Sequence, residues 1–107
     1  MELNEIIDEF RIFLKEREWL DFSQHDVFVH LIEELGEIGK YLLFSTGYKT
    51  EERGHEKPTK EELSREFAQT FSLFIQLCIL LEIDLEEAWK KEIEFMRKRF
   101  PPNDKYK

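Results

Sequence analysis

The chain has a single cysteine, Cys78, so it can form neither an internal disulfide nor a cysteine-based zinc site. Cys78 lies inside an apolar run and reads as a small buried hydrophobe. There is no excess of positive charge. The formal net charge is −8, which argues against a nucleic-acid grip, because duplex binding rests on Lys and Arg neutralising phosphates. It also means that a phosphate-bearing ligand would need a cation as intermediary. The chain lacks a long apolar run as well. The longest, Phe67 to Leu81, is broken by Gln69, Thr70, Ser72 and Gln76 and is too short to span a bilayer. The amino terminus, MELNEIIDEF, is acidic and has neither the charge pattern nor the apolar region of a signal peptide. The expectation is a soluble cytoplasmic protein with no membrane and no nucleic-acid partner.

The 107 residues leave room for one domain, 1–107, with one core. Ten Phe, two Trp and three Tyr mark a folding chain despite a charged content of 37%. A domain this small buries a modest fraction of its surface, so self-association is an expected source of stability.

Periodicity and capping predict four helices and no strand. Leu3, Ile6, Ile7, Phe10, Phe13 and Leu14 give an amphipathic helix to about residue 17, followed by a turn covered by Trp19, Leu20 and Phe22. Ser23 is the expected N-cap of a second helix, which keeps its period through Phe28, Leu31, Leu35, Ile38 and Leu42 to about Phe44. Gly36 and Gly39 cost that helix about 1 kcal/mol each relative to Ala, so a close approach there is expected, by a helix or by a ligand. Residues 45–58, STGYKTEERGHEKP, read as a flexible, solvated loop, longer than most bundle connections and suited to a lid or a partner contact. Thr59 with Glu62 matches a capping box opening the third helix. From Phe67 to Leu81, eleven of fifteen residues are apolar and nearly encircle that helix, so part of it is expected to face a second subunit. Asp84 with Glu87 opens a fourth helix from Leu85 to about Arg99, which Pro101-Pro102 stops ahead of a short charged tail, 101–107.

Chemistry is suggested by carboxylates placed among core positions. Glu34 and Glu37 stand three apart, between Leu31, Leu35 and Ile38, and project together. Glu62, Glu66, Gln69, Ser72 and Gln76 fall within an arc of about 120° on the third helix. Buried polar groups need partners, at a cost of about 1–3 kcal/mol each if unpaired. If the two stripes face each other, Glu34, Glu37 and Glu66 converge, and clustered carboxylates repel unless a cation lies among them. An all-oxygen set favours Mg²⁺ or Mn²⁺ over zinc. The competing reading is an ordinary solvated glutamate face. His30, one turn before Glu34, reads as a hydrogen-bonded, partly buried histidine.

These segments together resemble a known family. Leu31-Ile32-Glu33-Glu34-Leu35-Gly36-Glu37 followed by Arg65-Glu66-Phe67-Ala68-Gln69 resembles the ExxE…ExxD signature of the MazG-like all-α nucleotide pyrophosphohydrolases. Arg17-Glu18-Trp19 with Phe22 is similar to their approach segment, and Ile83 to Ala88 with Arg99-Phe100-Pro101 to their closing helix. The resemblance implies a four-helix bundle assembled as a homodimer or homotetramer. It further implies Mg²⁺-dependent hydrolysis of a (deoxy)nucleoside triphosphate to monophosphate and pyrophosphate, in nucleotide-pool housekeeping. By position it makes Glu34, Glu37 and Glu66 metal ligands, with Gln69 a weak fourth, and Glu33 and Glu34 the catalytic carboxylates. Lys40, Arg97 and Lys98 are the candidate substrate-binding cations, although basic residues at a helix C-terminus also suit its dipole. The chain departs from the pattern twice, with Gln69 in place of an Asp and Phe95-Met96 in place of Lys-Asn. A second function therefore stays open: a catalytically impaired relative that binds a nucleotide or a partner.

Overall fold

In the computed structural model, residues 2–102 are described, and residues 103–107 of the expected charged tail lie outside them. Four α-helices follow in order: α1 (Leu3–Glu16), α2 (Gln24–Ser45), α3 (Lys60–Leu80) and α4 (Leu85–Arg99). Short 3₁₀ turns at Trp19–Asp21 and Glu51–Arg53 interrupt the first two connections, and the described residues contain no strand. The all-α expectation therefore holds, with helix ends within about one residue of those expected, inside the usual uncertainty of helix termini.

The caps explain the boundaries. Asp26 N–H donates to Ser23 Oγ at 3.3 Å, Glu62 N–H to Thr59 Oγ1 at 3.1 Å and Glu87 N–H to Asp84 Oδ1 at 3.1 Å. Each satisfies a donor that the first helical turn leaves free. Helix α3 ends in a Schellman motif, with Ile83 N–H donating to Cys78 O and Glu82 N–H to Ile79 O. Glu82 there takes the left-handed conformation at φ +56°, a position usually given to Gly.

α2 and α3 run antiparallel and form the backbone of the fold. Val27 and Leu31 of α2 meet Leu73 of α3, with Leu77 and Leu80 alongside. A second cluster joins α1 to another face of the same half of α3 through Ile7, Leu14, Ile75 and Ile79. Leu14 and Ile75 are the most enclosed large side chains. Fully burying each contributes about 1.5–3 kcal/mol.

α4 leaves α3 at a bend of 104° and packs little on the rest of the chain. The radius of gyration is 17.7 Å, against about 13 Å for a compact domain of this length. Apolar stripes are consequently left open. Phe67, Phe71, Phe74 and Leu81 line one on α3, and Phe28, Ile32, Leu35 and Leu42 line another on α2. A Cβ at Gly36 or Gly39 would meet nothing within 4 Å, so the close approach expected there does not come from the described residues. Among the described residues no single helix is long and apolar enough to cross a membrane.

Candidate functional site

The antiparallel α2–α3 pairing brings the middle of α2 against the first half of α3, and with it Glu34 against Glu66. The two carboxyls come within hydrogen-bonding reach of each other. Glu66 is pushed up to about 7 from an ordinary value near 4.5, first by hydrogen bonding to Glu34, then by desolvation and by the charges of Glu34 and Glu37; Arg65 opposes the shift. With its amide nitrogen turned toward the carboxylates, Gln69 lies 3.3 Å from both Glu66 Oε2 and Glu34 Oε2. Gln69 therefore bridges the pair as a donor rather than standing at the rim of the cluster.

Glu37 takes a different place. Its carboxylate pairs with Lys40 Nζ at 3.1 Å, and it acts on Glu66 through its charge. No three His, Cys, Asp or Glu side chains among the described residues stand close enough to enclose one metal ion. The structure thus joins Glu34, Glu66 and Gln69 in one network, with Glu37 and Lys40 beside it. Glu33 is exposed and lines neither of the cavities described next. Arg97 and Lys98 occupy the last turn of α4, away from both cavities, with Arg97 Nη1 held 3.2 Å from Glu94 Oε1. His30 is exposed, with Nε2 3.4 Å from Glu34 Oε1, rather than partly buried as expected.

Ser72 and Gln76 of the α3 stripe also find partners. Ser72 Oγ donates back to Gln69 O at 2.7 Å, and Gln76, only 5% exposed, donates to Trp19 O at 3.3 Å. The latter bond ties α3 to the turn after α1.

Two cavities flank the carboxyls. One, of about 730 Å³, is walled by Phe10, Phe13, Trp19 and Phe22 and reaches Glu34 and Gln69. Its aromatic row is continuous. Phe10 stacks on Phe13 at 5.6 Å, Phe13 meets Trp19 edge-on at 5.8 Å, and Trp19 stacks on Phe22 at 6.1 Å. The Arg17 guanidinium covers Phe13 at 3.6 Å, a cation–π contact that steadies the wall. Glu18, left-handed at φ +59°, turns the chain so that Trp19 folds back toward α1.

The second cavity, of about 720 Å³, is a charged cleft containing Glu37, Lys40 and Glu66. Its far wall is the α2–α3 connection, which contributes Lys49, His55 and Lys57. Sequence reasoning placed neither wall at the site. The aromatics read as core residues of an amphipathic helix and its turn, and the connection as a solvated loop whose length suited a lid or a partner contact. The density of Phe and Trp just ahead of the glutamates was a further signal.

The arrangement presents an aromatic slot, an acidic centre and a mixed-charge cleft in sequence along the α2–α3 face. Compared with protein-family models, with curated proteins and with solved structures, the chain finds no match in any of the three.

Proposed function

We propose that the chain is a divalent-metal-dependent nucleoside triphosphate pyrophosphohydrolase of the MazG-like kind, hydrolysing a (d)NTP to (d)NMP and pyrophosphate. The observation carrying this reading is the position of the Glu34–Glu66 carboxyl pair between an aromatic cavity and a charged cleft. Each half of a nucleotide has a matching surface. A planar base suits the slot between Phe13, Trp19 and Phe22, because aromatic faces stack on any base. The phosphate chain suits the charged cleft.

By chemistry the donors suit Mg²⁺ or Mn²⁺. Glu34 and Glu66 offer hard carboxylate oxygens, and Glu37 would join them on leaving Lys40, while Gln69 would have to turn its carbonyl oxygen inward. The upward shift of Glu66 beside the Glu34 and Glu37 charges marks a place where negative charge lacks a counter-ion. A bound cation would neutralise phosphate charge and favour attack by water. Glu34 touches Glu66 and lines the aromatic cavity, so it is the carboxylate placed to accept the proton of a water attacking a phosphorus at the junction of the cavities. The anhydride bond then breaks and pyrophosphate leaves through the cleft. Glu33 has no part in this scheme, being exposed and outside both cavities.

Self-association belongs to the same reading. The apolar stripes of α2 and α3, the open space over Gly36 and Gly39 and the outlying α4 together suit a second copy of this chain. In such an assembly α4 would gain the packing that it lacks within one chain.

Gln69 favours a second reading. By donating to both carboxyls it satisfies the cluster without a cation, as expected of a related protein that binds nucleotide or a partner and does not turn over. Pyrophosphate release from a panel of ribo- and deoxyribonucleoside triphosphates, with Mg²⁺ or Mn²⁺, separates the two. Metal-dependent release that Glu66→Gln abolishes supports the hydrolase. Tight nucleotide binding without release supports the second reading, and neither binding nor release refutes the hydrolase and nucleotide binding alike.

A further inference from the structure

The α2–α3 connection is a folded strap, and its basic residues look into the cleft that contains Glu37 and Glu66. Gly47, at φ +81°, ends α2 and lets the chain double back, so that Lys49 N–H donates to Leu43 O at 3.0 Å. The Glu51–Arg53 turn closes on Gly54, at φ +86°, and Arg53 Nη1 reaches back to Tyr48 O. The His55 ring then packs edge-on against Phe44 of α2, with centroids 6.4 Å apart. The segment is thereby tied to the end of α2 at Lys49 and at His55, with Lys49 and Lys57 lining the cleft.

Charge pairing within the cleft is uneven. Lys40 is committed to Glu37, and Glu62 accepts the hydroxyl of Thr59 at the start of α3. Among the described residues, neither Lys49 nor Lys57 has a carboxylate within 4.0 Å. The cleft therefore has carboxylates at its inner end and two unengaged ammonium groups on its outer wall, with Glu51 and Glu56 beside them. A free anion would be repelled by this mixture, and a free cation would gain little from the lysines. A metal-bound polyphosphate matches both ends, because its cation answers the glutamates while its uncovered oxygens answer the lysines.

We infer that Lys49 and Lys57 of the strap bind the terminal phosphates of a metal–polyphosphate group whose metal-proximal end lies at Glu37 and Glu66. This assignment rests on the nucleotide reading above and adds to it the residues that grip the leaving pyrophosphate. It also places that grip on the strap rather than on Arg97 and Lys98, which stand away from the cleft.

Inorganic tripolyphosphate with Mg²⁺ is the probe, because it needs no knowledge of the base. Calorimetric titrations compare the full chain with Lys49→Ala/Lys57→Ala, with Lys49→Arg/Lys57→Arg, and with Lys91→Ala on the exposed side of α4. The alanine pair is expected to weaken magnesium tripolyphosphate binding at least tenfold and to flatten its salt dependence. The arginine pair and Lys91→Ala should stay within about twofold of the parent, and Mg²⁺ affinity without phosphate should be unchanged in all four proteins. Equal tripolyphosphate affinity in parent and alanine pair, or no tripolyphosphate binding by a parent that does bind Mg²⁺, overturns the strap assignment alone. A parent that binds no Mg²⁺ overturns the nucleotide reading at its carboxylates. In that case lysine-dependent binding of magnesium tripolyphosphate would still support the strap, and equally tight binding of metal-free tripolyphosphate would overturn it.

Discussion

Occupation of the carboxylate cluster by a divalent cation should expel a proton, and the amount follows from Glu66. With its carboxyl held near 7 by hydrogen bonding to Glu34, by desolvation and by neighbouring charge, Glu66 is about half protonated at pH 7. Binding Mg²⁺ requires the carboxylate, so each ion should release about 0.5 proton at pH 7, about 0.9 at pH 6 and about 0.1 at pH 8. The apparent affinity should accordingly fall about tenfold between pH 8 and pH 6. The metal-free protein should show the opposite trend in stability. Its folded state holds a proton that the unfolded chain gives up near 4.5. That contribution is therefore fully present below about pH 4.5 and is lost as pH rises through about 7. Titration calorimetry in buffers of different ionisation enthalpy measures the proton count directly. Glu66→Gln should abolish the linkage and weaken the metal. Mg²⁺ binding with no proton release at pH 6 would refute the coupling of Glu34 and Glu66 as the cation site.

Gln69→Asp replaces the amide that bridges Glu34 and Glu66 with another carboxylate. It should lower the melting temperature of the metal-free protein and tighten Mg²⁺ binding, and weaker Mg²⁺ binding by calorimetry would place Gln69 away from the cation. If pyrophosphate release also rises, the glutamine limits catalysis; if release stays undetectable, the binding reading gains. Phe71→Glu/Phe74→Glu changes two half-exposed rings on α3 and should convert a dimer or tetramer of the 13.1 kDa chain into monomer by light scattering. A parent that is already a monodisperse monomer at micromolar concentration defeats the assembly proposal. Leu14→Ala empties a fully enclosed site between α1 and α3 and should cost about 2–5 kcal/mol in urea unfolding.

Much of the fold could be read from the chain because its determinants are local. Ser23, Thr59 and Asp84 cap the helices they were expected to cap, since a cap needs only the donors two or three residues ahead. Leu14 and Leu31 are buried where helical periodicity places them. Carboxylate convergence was half legible. Spacing puts Glu34 and Glu37 together on one helix, but the partner that reaches Glu34 depends on how α2 and α3 align. In that alignment Glu37 turns to Lys40, and Gln69 becomes the bridge.

Nothing in the spacing of Phe13, Trp19 and Phe22 distinguishes a core face from a cavity wall. The difference arises because Glu18 turns left-handed and Gln76 ties the turn to α3. Residues 45–58 look like solvent-exposed chain by composition. Two left-handed glycines and the packing of His55 on Phe44 make them a wall of the cleft. Helix identities, caps and the apolar stripes were thus set by neighbours three or four residues apart, within reach of sequence periodicity. The pairing of Glu34 with Glu66, the aromatic slot and the direction of α4 join residues that are distant along the chain. They became fixed only when α1, α2 and α3 packed, because side-chain contact depends on the alignment of whole helices and not on the sequence of any one of them.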